Sequence, residues 1–431
     1  MPGLHFLPQK QTFTAPTPLL LASMLYCSAS RGPADVARFS PIYRQSLSLE
    51  LSELVYYEVG GVNTPSNLAT GEEWGFQTVL GIVLATLLNE ARTQATGIWL
   101  SIAYRLLLEH CPPRLANGSR QWQQLFSGLQ ILDLEHASLY LACPTLPIEP
   151  PLHAIPMPPN DQLYSLSRMM HVGLTHFAGR GLPTIWSYFT RPSPVQNSNG
   201  FAFSGVDTAV IRDWARQLDG WLAHFSTGPF DSETDRRLVY RQYVLHRLLV
   251  LSVYLPSRQY DLFSPHATPK ERHELLSSAR TTIKLHAGDG TIWSNWDLTM
   301  ITWAALIVLQ AVKAGYGDSD DVEAIRVHLW LLRQTHEPEP NVRSHLASHL
   351  DVALSSVPAE NQPIHPPPLE STNEAFGSSW SLFDETSLEA LDQYFWSDIQ
   401  LSPMDAGRPF GTLDVSRNSS SHSSSATRNT A

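Results

Sequence analysis

The amino-acid sequence predicts an all-α protein, an irregular multi-helix domain, and three observations carry this prediction. Apolar residues recur at the i, i+3, i+4 spacing of an amphipathic helix in six separate segments. Alternating apolar and polar residues, the pattern of a half-buried strand, are scarce, and Glu53 to Val59 is a short, ambiguous exception. The 32 prolines interrupt the chain mostly between the helical segments, where they end helices rather than kink them.

The clearest apolar stripe runs from Trp122 to Tyr140 and is closed by Pro144. The remaining stripes run from Phe76 to Ala91, from Trp99 to Leu107, from Val206 to Phe225, from Tyr240 to Leu255 and from Trp296 to Ala311. A stripe of this kind buries one face of its helix and leaves the opposite face in water. We therefore expect six or more amphipathic helices around a substantial core.

Composition excludes several classes of protein. Apolar residues make up 43% of the chain and can build a sizeable core, whereas charged residues make up only 16%. The net charge of −11 and the lack of a dense Lys/Arg run oppose nucleic-acid binding by this chain alone. Cys27, Cys111 and Cys143 are far apart and form no CxxC pair, which argues against a disulfide scaffold or a thiolate zinc site. We expect three buried thiols in a reducing compartment.

No membrane association is expected. Uninterrupted apolar runs stay shorter than the roughly 18 residues that a spanning helix needs. The segment from Pro18 to Cys27 has the apolar character of a secretory signal, but a polar segment containing proline precedes it. We interpret it as the first helix of the core.

Proline-rich stretches divide the chain into three parts. Residues 1–14 are an N-terminal extension, and residues 15–356 are the helical domain, with connectors at 144–159 and 191–205. Residues 357–431 begin with a proline linker, continue with an acidic and aromatic segment, and end in a Ser-rich stretch from Ser416 onward. That composition cannot build a core, so we expect a disordered C-terminal tail.

One segment carries a resemblance to a known family. Residues 124–141 read Gln-Leu-Phe-Ser-Gly-Leu-Gln-Ile-Leu-Asp-Leu-Glu-His-Ala-Ser-Leu-Tyr-Leu, and Ala142-Cys143-Pro144 follows. This resembles the central motif in the regulatory (middle homology) domain of fungal-specific, zinc-cluster transcription factors, with Phe126, Leu132-Asp133 and Pro144 at matching positions. Ala142-Cys143 replaces the Gly-Arg step of that family. The segments 18–25, 97–106 and 238–247 are similar to other parts of the same domain and follow in the same order, so the resemblance covers residues 15–335.

The resemblance implies a helical regulatory domain that acts in transcriptional control in the nucleus, for example on a biosynthetic gene cluster of secondary metabolism. The six-cysteine finger that contacts DNA in the family is not recognisable in this chain, so a partner or a finger encoded upstream would supply that contact. The implied partners are the transcription machinery or a co-activator, and a related transcription factor. The alternative function is a non-DNA-binding modulator that sequesters such a factor.

A second functional signal does not depend on the resemblance. From Ser344 to Gly407 there is no Lys or Arg, and acidic residues alternate with aromatic and aliphatic ones. This composition is typical of activation segments, in which repelling carboxylates keep the chain solvated and leave the apolar side chains available to a partner groove. The candidate partner-binding residues are Trp380, Phe383, Leu388, Leu391, Phe395 and Trp396. The alternative is an ordinary last helix that packs these rings on the body.

We expect no enzyme, no cofactor and no metal site, because no Gly-x-Ser-x-Gly, Walker, Rossmann or His-Glu-x-x-His motif is present. Three weaker patterns point to other kinds of site. His345 and His349 lie four residues apart but have no third ligand nearby. Asp133 and His136 could form a polar pair on one helix, with Asp133 a structural position.

The third pattern, Asp318-Ser319-Asp320-Asp321, matches the Asp-x-Asp-Asp motif of a terpene cyclase. That chemistry needs the middle acid, Asp320, to be buried so that it stays protonated. Acidic residues at the start of a helix are the simpler interpretation, because they suit the helix dipole. A terpene-cyclase-like enzyme remains the less favoured alternative function.

Overall fold

The computed structural model describes residues 15–60, 68–88, 93–112, 119–149, 162–190, 203–226, 233–288 and 293–357. All described residues belong to one compact unit of the chain. The predicted N-terminal extension and nearly all of the predicted tail lie outside the described residues.

The protein is all-α, as the sequence predicts. Its described residues form fourteen α-helices and one short 3-10 turn, Pro256–Arg258, and they contain no strand. The helices are α1 Pro18–Ser30, α2 Ala34–Ala37, α3 Ser40–Gly60, α4 Leu68–Leu88, α5 Thr93–His110, α6 Ser119–Tyr140, α7 Gln162–Phe177, α8 Ile185–Thr190, α9 Gly205–Ser226, α10 Glu233–Ser252, α11 Pro269–Gly288, α12 Asn295–Lys313, α13 Asp321–Arg333 and α14 Val342–Ser355. The possible strand from Glu53 to Val59 is wrong, because these residues continue helix α3.

Two hydrophobic cores organise the described helices. The first core is built by α1, α3, α4, α5 and the first half of α6, and the second by the last turns of α6 together with α7 to α14. Helix α6 gives Trp122, Leu125, Phe126, Leu129 and Leu132 to the first core, and Leu134, Ala137 and Leu139 to the second. The helix with the most regular stripe in the sequence is therefore common to both cores.

Helix α12 is the central helix of the second core. Every residue from Asn295 to Leu309 is buried, because α10, α11, α13 and α14 pack around it. The expectation of one wet face is therefore wrong for this helix, although its predicted apolar stripe is present. Among the described residues, α12 alone is long and apolar enough to cross a membrane, and 94% of its most apolar stretch is buried inside the protein. This burial identifies α12 as a core helix.

Helix α1 is a core helix, which agrees with its interpretation from sequence. Thr17 caps its first turn through a hydrogen bond from Leu20 N to Thr17 Oγ1, and Pro18 occupies the first helical position, where a missing N–H costs nothing. The helix lies directly against α4 at Gly81, where an added Cβ would come within 3.0 Å of Leu20 Cα. Glycine at this position lets the two backbones approach.

The predicted connector after α6 folds back onto that helix. Gln130 Nε2 donates hydrogen bonds to the carbonyl oxygens of Pro147 (2.8 Å) and Ile148 (3.0 Å). Leu146 is buried in the first core at 3% exposure. The first residues of the connector therefore pack against α6 and are hydrogen-bonded to it. The following residues, from 150 to 161, lie outside the described residues.

The expectation of three buried thiols is wrong for Cys143 and only partly right for Cys27. All three cysteines are free, but Cys143 is exposed, Cys27 is partly buried and Cys111 is buried. Cys143 follows the end of α6, where the chain buries Leu146 instead. Burial raises the pKa of the Cys27 thiol to about 12 and that of Cys111 to about 11, so both thiols stay protonated and unreactive at neutral pH.

Candidate functional site

The six candidate partner-binding residues of the tail, Trp380, Phe383, Leu388, Leu391, Phe395 and Trp396, lie outside the described residues. Whether these side chains are exposed to solvent or packed on the helical body therefore stays a prediction. The described body contains a different candidate, which the sequence did not single out. It is a cavity next to buried charges, at the place where the two cores meet.

The cavity has a volume of about 50 Å³ and lies between α4, α5, α6 and the start of α12. Its wall combines apolar side chains with hydroxyl, amide, imidazole and carboxyl groups. The lining residues are Thr86, Leu87, Thr96, Leu132, Glu135, His136, Leu139, Tyr140, Ser294, Asn295 and Trp296. Helices from the first core and the first residues of the central helix of the second core thus line one small, partly open cavity.

Glu135 reaches the cavity because of its position on α6. It lies three residues after Leu132 and four before Leu139, so the three side chains share one face of the helix. That face meets other helices, and Glu135 is only 5% exposed. A carboxyl group at this depth is uncommon in proteins unless it is paired, protonated or functional.

A buried ion pair lies beside Glu135. Arg241 Nη2 of α10 and Asp297 Oδ2 of α12 are 3.0 Å apart, and each side chain is 1% exposed. The Arg241 guanidinium carbon also lies 3.1 Å from the centroid of the Trp293 ring, which adds a cation–π interaction. The pair joins two helices of the second core where no water screens it.

Local backbone chemistry fixes the position of Asp297. Ser294 Oγ accepts a hydrogen bond from Asp297 N (3.1 Å), and Asp297 Oδ2 accepts one from Ser294 N (2.9 Å). This capping box starts helix α12 and holds the carboxylate in the first helical turn. Asp297 therefore caps the helix and pairs with Arg241 at the same time.

The surroundings of Glu135 favour its protonated form. Burial raises the pKa of the Glu135 carboxyl well above its ordinary value, the Asp297 carboxylate raises it further, and the Arg241 guanidinium offsets part of the rise. One cation faces two acids here, so the cluster is neutral only when one acid holds a proton.

His246, on α10, is close enough to the cluster for the Asp297 carboxylate to influence it. Its Nδ1 lies 2.8 Å from the carbonyl oxygen of Gln242, and its ring centroid is 5.2 Å from that of Trp296. Burial lowers the pKa of His246 to about 4, against weaker raising effects of the Gln242 carbonyl and the Asp297 carboxylate. The imidazole is therefore neutral at physiological pH and adds no second cation.

Several donors in the cavity wall are already used within the protein. Trp296 Nε1 donates to Ser138 Oγ (3.1 Å), Asn295 Nδ2 donates to Leu88 O (2.9 Å), and Thr86 Oγ1 donates to Ile82 O (2.7 Å). Within the described part of the chain, none of these bonds is directed to the Glu135 carboxyl. These three donors are therefore already satisfied within the protein.

Asp133 and His136, considered as a pair from the sequence, have separate surroundings. Asp133 Oδ2 accepts a hydrogen bond from Leu146 N (2.8 Å) and so fastens the connector to α6. Burial raises the pKa of Asp133 to about 6, opposed by hydrogen bonds from Leu146 and Thr145. His136 lies over Gly97, where an added Cβ would come within 3.2 Å of His136 Cε1, and it lines the cavity.

The two histidines of α14 make protein contacts. His345 Nε2 bonds to the carbonyl oxygen of Phe189 (2.8 Å), and the His345 and His349 rings meet edge to face with centroids 4.7 Å apart. The described residues contain no group of three or more His, Cys, Asp or Glu that could hold a metal ion.

The acidic run before α13 pairs with Arg280 of α11. Asp321 accepts hydrogen bonds from Arg280 Nε (3.0 Å) and Nη2 (2.8 Å), and Asp318 forms a further ion pair with Arg280 at 3.2 Å. Asp320, the acid that a terpene cyclase would need buried and protonated, is exposed. The geometry therefore does not provide the proton donor of that reaction.

Sequence reasoning missed Glu135, Arg241 and Asp297 as one cluster. The pattern Ser294-Asn295-Trp296-Asp297 is a capping-box signature, so the local role of Asp297 was readable. Arg241 lies in the segment 238–247 that resembles the family, and a cation inside an apolar stripe is a signal of a buried ion pair in itself. The pairing joins residues 56 positions apart, and no local pattern predicts it.

No family model, no curated protein and no solved structure matches this chain.

Proposed function

We propose that this protein regulates transcription and that its C-terminal acidic and aromatic segment recruits a protein of the transcription machinery or a co-activator. The observation that carries the proposal is the absence of Lys and Arg from Ser344 to Gly407, combined with the interleaved acidic and aromatic residues. Uncompensated negative charge keeps such a segment solvated until a partner groove accepts its rings.

The helical body supports the proposal in two ways, through its all-α fold and through the order of the segments that resemble the fungal regulatory domain. It is all-α, and the segment that resembles the central motif of fungal regulatory domains forms α6, the helix common to both cores. Asp133, a structural position in that motif, fastens the chain that follows α6. In this function the body serves as a docking or sensing unit, and a partner or a finger encoded upstream contacts DNA.

Several finer parts of the proposal rest on the resemblance alone. They are a nuclear location, a related transcription factor as second partner, and control of a biosynthetic gene cluster. The net charge of −11 agrees with DNA contact through a partner or an upstream finger, because a strongly acidic chain binds DNA poorly by itself.

The test is a reporter assay with the full chain fused to an unrelated DNA-binding domain. We expect the wild-type fusion to raise reporter output several-fold. A Phe383→Ala/Phe395→Ala/Trp396→Ala variant should abolish the increase, because hot-spot aromatics carry most of the binding energy of such contacts. The matched control, Ser419→Ala/Ser420→Ala/Ser421→Ala, changes the same number of residues nearby and should keep full output.

Two results would remove the proposal. One is a silent wild-type fusion that is expressed at the level of an active reference fusion. The other is equal output from the aromatic variant and the wild type.

A further inference from the structure

We propose that a small cavity between α9, α11 and the end of α10 binds one ordered water molecule, which bridges the Tyr254 hydroxyl, the Arg258 guanidinium and the Glu271 carboxylate. The inference concerns the described body and does not depend on a role in transcription. The size of the cavity, two donors without a hydrogen-bond partner among the described residues, and the spacing of an ion pair each support it.

The cavity is small, partly open to solvent and lined by both polar and apolar side chains. Its volume is about 20 Å³. The polar lining residues are Thr208 and Arg212 on α9, Tyr254 and Arg258 after α10, and Glu271 and Glu274 on α11. A water molecule needs roughly 10–15 Å³ of such space, so one molecule fills most of this cavity.

Tyr254 brings a buried hydroxyl group to the cavity. The residue is only 4% exposed, and its hydroxyl oxygen has no hydrogen-bond partner among the described residues. Burial raises the pKa of Tyr254 above its ordinary value, the Arg258 guanidinium opposes the rise, and the Glu271 and Glu274 carboxylates add to it. The hydroxyl group therefore keeps its proton and lies within the influence of the charged lining residues. Because a buried donor without a partner is unfavourable, a ligand that accepts its hydrogen bond stabilises the site.

Arg258 supplies the second donor. Its guanidinium carbon lies 4.1 Å from the centroid of the Tyr254 ring, so the two lining residues are in direct contact. Arg258 Nη1 and Glu271 Oε2 are 3.8 Å apart, which is too far for a direct hydrogen bond, and Nη1 has no hydrogen-bond partner among the described residues. A water molecule beside this pair can accept a hydrogen bond from Nη1 and donate one to the carboxylate, which completes the contact.

Glu271 is held in place as an acceptor by the start of α11. Its Oε2 atom accepts hydrogen bonds from Thr268 N and Thr268 Oγ1, both 2.9 Å long, and Glu271 N donates to Thr268 Oγ1 at 3.2 Å. Its other oxygen, Oε1, is 3.9 Å from Arg212 Nη2, again beyond hydrogen-bond distance. The carboxylate is therefore fixed and keeps lone pairs for a water molecule, which would join the segment that follows α10 to the first turn of α11.

The mixture of donors and acceptors selects water over an ion. Arg212 and Arg258 each bring a guanidinium group to the wall. Glu271 and Glu274 each bring a carboxyl group, so an ion of either sign would lie beside groups of its own charge. The ligand has to accept from Tyr254 and Arg258 and to donate to Glu271. An ammonium ion only donates and a halide only accepts, whereas a water molecule does both.

The test is a pair of crystal structures of the full chain, one from crystals grown in sodium bromide and one from crystals grown in rubidium chloride. Both ions scatter anomalously, so each would reveal itself if it occupied the cavity. We expect one solvent peak without anomalous signal in both structures. The peak should lie about 3 Å from Tyr254 Oη, from Arg258 Nη1 and from a carboxylate oxygen of Glu271.

One variant and one matched control sharpen the result. Tyr254→Phe removes a single donor at nearly constant shape, and we expect the height of the solvent peak to fall by about half or more, because the water loses one of three partners. Tyr243→Phe removes the hydroxyl of another buried tyrosine, which donates directly to Asp219 Oδ1 at 2.7 Å. This control should leave the peak beside Tyr254 unchanged.

Three results would overturn the proposal, and the first two come from the wild type alone. The first is an anomalous peak of bromide or rubidium in the cavity, which would make the site an ion site. The second is a Tyr254 hydroxyl that donates directly to Glu274 or Glu271, with no solvent peak between them. The third is a peak of equal height in Tyr254→Phe and the wild type. The reporter assay measures a different property, so failure here leaves the transcriptional proposal intact.

Discussion

Arg241 and Asp297 form an ion pair 3.0 Å long whose two side chains are each only 1% exposed, so α10 and α12 are joined by charges that water does not reach. A pair of this kind costs desolvation free energy when it forms, and its removal has different consequences when one partner or both partners are replaced.

Replacing Arg241 by Met should lower the free energy of unfolding by about 3–5 kcal/mol, because Asp297 is left as a buried charge without its partner. The double variant Arg241→Met/Asp297→Asn should lose less than Arg241→Met alone. Urea denaturation of the full chain measures both effects.

The control for this prediction is Arg216→Met. Arg216 pairs with Asp213 at 3.0 Å but is 71% exposed, so its loss should change stability by less than about 1 kcal/mol. Equal losses from Arg241→Met and Arg216→Met would contradict a special role for the buried pair.

Replacing Glu135 by Gln should stabilise the protein, increasingly so as the pH rises. The folded pKa of Glu135 lies well above its ordinary value of 4.5, so the folded state binds more protons and the wild type loses stability as the pH rises from 4.5 through the folded pKa. Glutamine has no such loss. Melting temperatures of both proteins between pH 4 and pH 8 measure the difference.

Glu323→Gln, at a largely exposed position, is the matched control and should give a melting-temperature difference that stays small across this range. A difference for Glu135→Gln that does not depend on pH would refute the raised pKa of Glu135.

His246 should make the protein sensitive to acid. Its pKa falls from 6.5 to about 4 on folding, so the unfolded state binds more protons between these values. The stability is fully present above pH 6.5 and is lost as the pH falls toward 4, with a total of about 3 kcal/mol. His328, which is fully buried and whose pKa is also lowered by burial, acts in the same direction.

His246→Phe keeps a ring against Trp296 and should flatten the dependence of the unfolding free energy on pH between 6.5 and 4. His336→Asn, at an exposed position, is the comparison and should leave that dependence unchanged. If His246→Phe shows the same acid sensitivity as the wild type, the neutral buried imidazole is not its source.

Gly81→Ala should destabilise the contact between α1 and α4. The new methyl group would lie 3.0 Å from Leu20 Cα, a backbone atom that cannot move alone, so we expect a loss of about 1–3 kcal/mol. Gly220→Ala is the matched control in helix α9, because no atom lies within 4 Å of its added Cβ. That change should stabilise the protein by up to about 1 kcal/mol, since alanine favours the helix. The two variants should therefore have opposite signs in denaturation experiments.

The helices could be predicted from the sequence because their signal is local. The stripes of Leu125, Leu129 and Leu132 on α6 and of Met300, Trp303 and Ile307 on α12 each follow from a short window, and the structure confirms both helices. The partners of each face could not be predicted. Leu132 and Leu134 are two residues apart on α6 yet belong to different cores, a division that depends on how distant helices pack.

The candidate site was hidden for the same physical reason. Glu135 looks like an ordinary acidic residue in a helix until the neighbouring helices bury it at 5% exposure. The depth of a charge is set by tertiary packing, whereas composition reports only that the charge exists. Cys143 shows the converse, since a residue type that is usually buried lies exposed where the chain leaves α6.

Helix α6 contributes side chains to both cores. We therefore expect that neither core can unfold while the other stays intact. Loss of α6 from the first core would expose the Leu134, Ala137 and Leu139 face that completes the second. Heating should therefore give one cooperative transition that near-UV circular dichroism and calorimetry record at the same temperature. A change that loosens one half should therefore reach the other through α6, and the Asn295–Leu88 hydrogen bond between α12 and α4 is a second link.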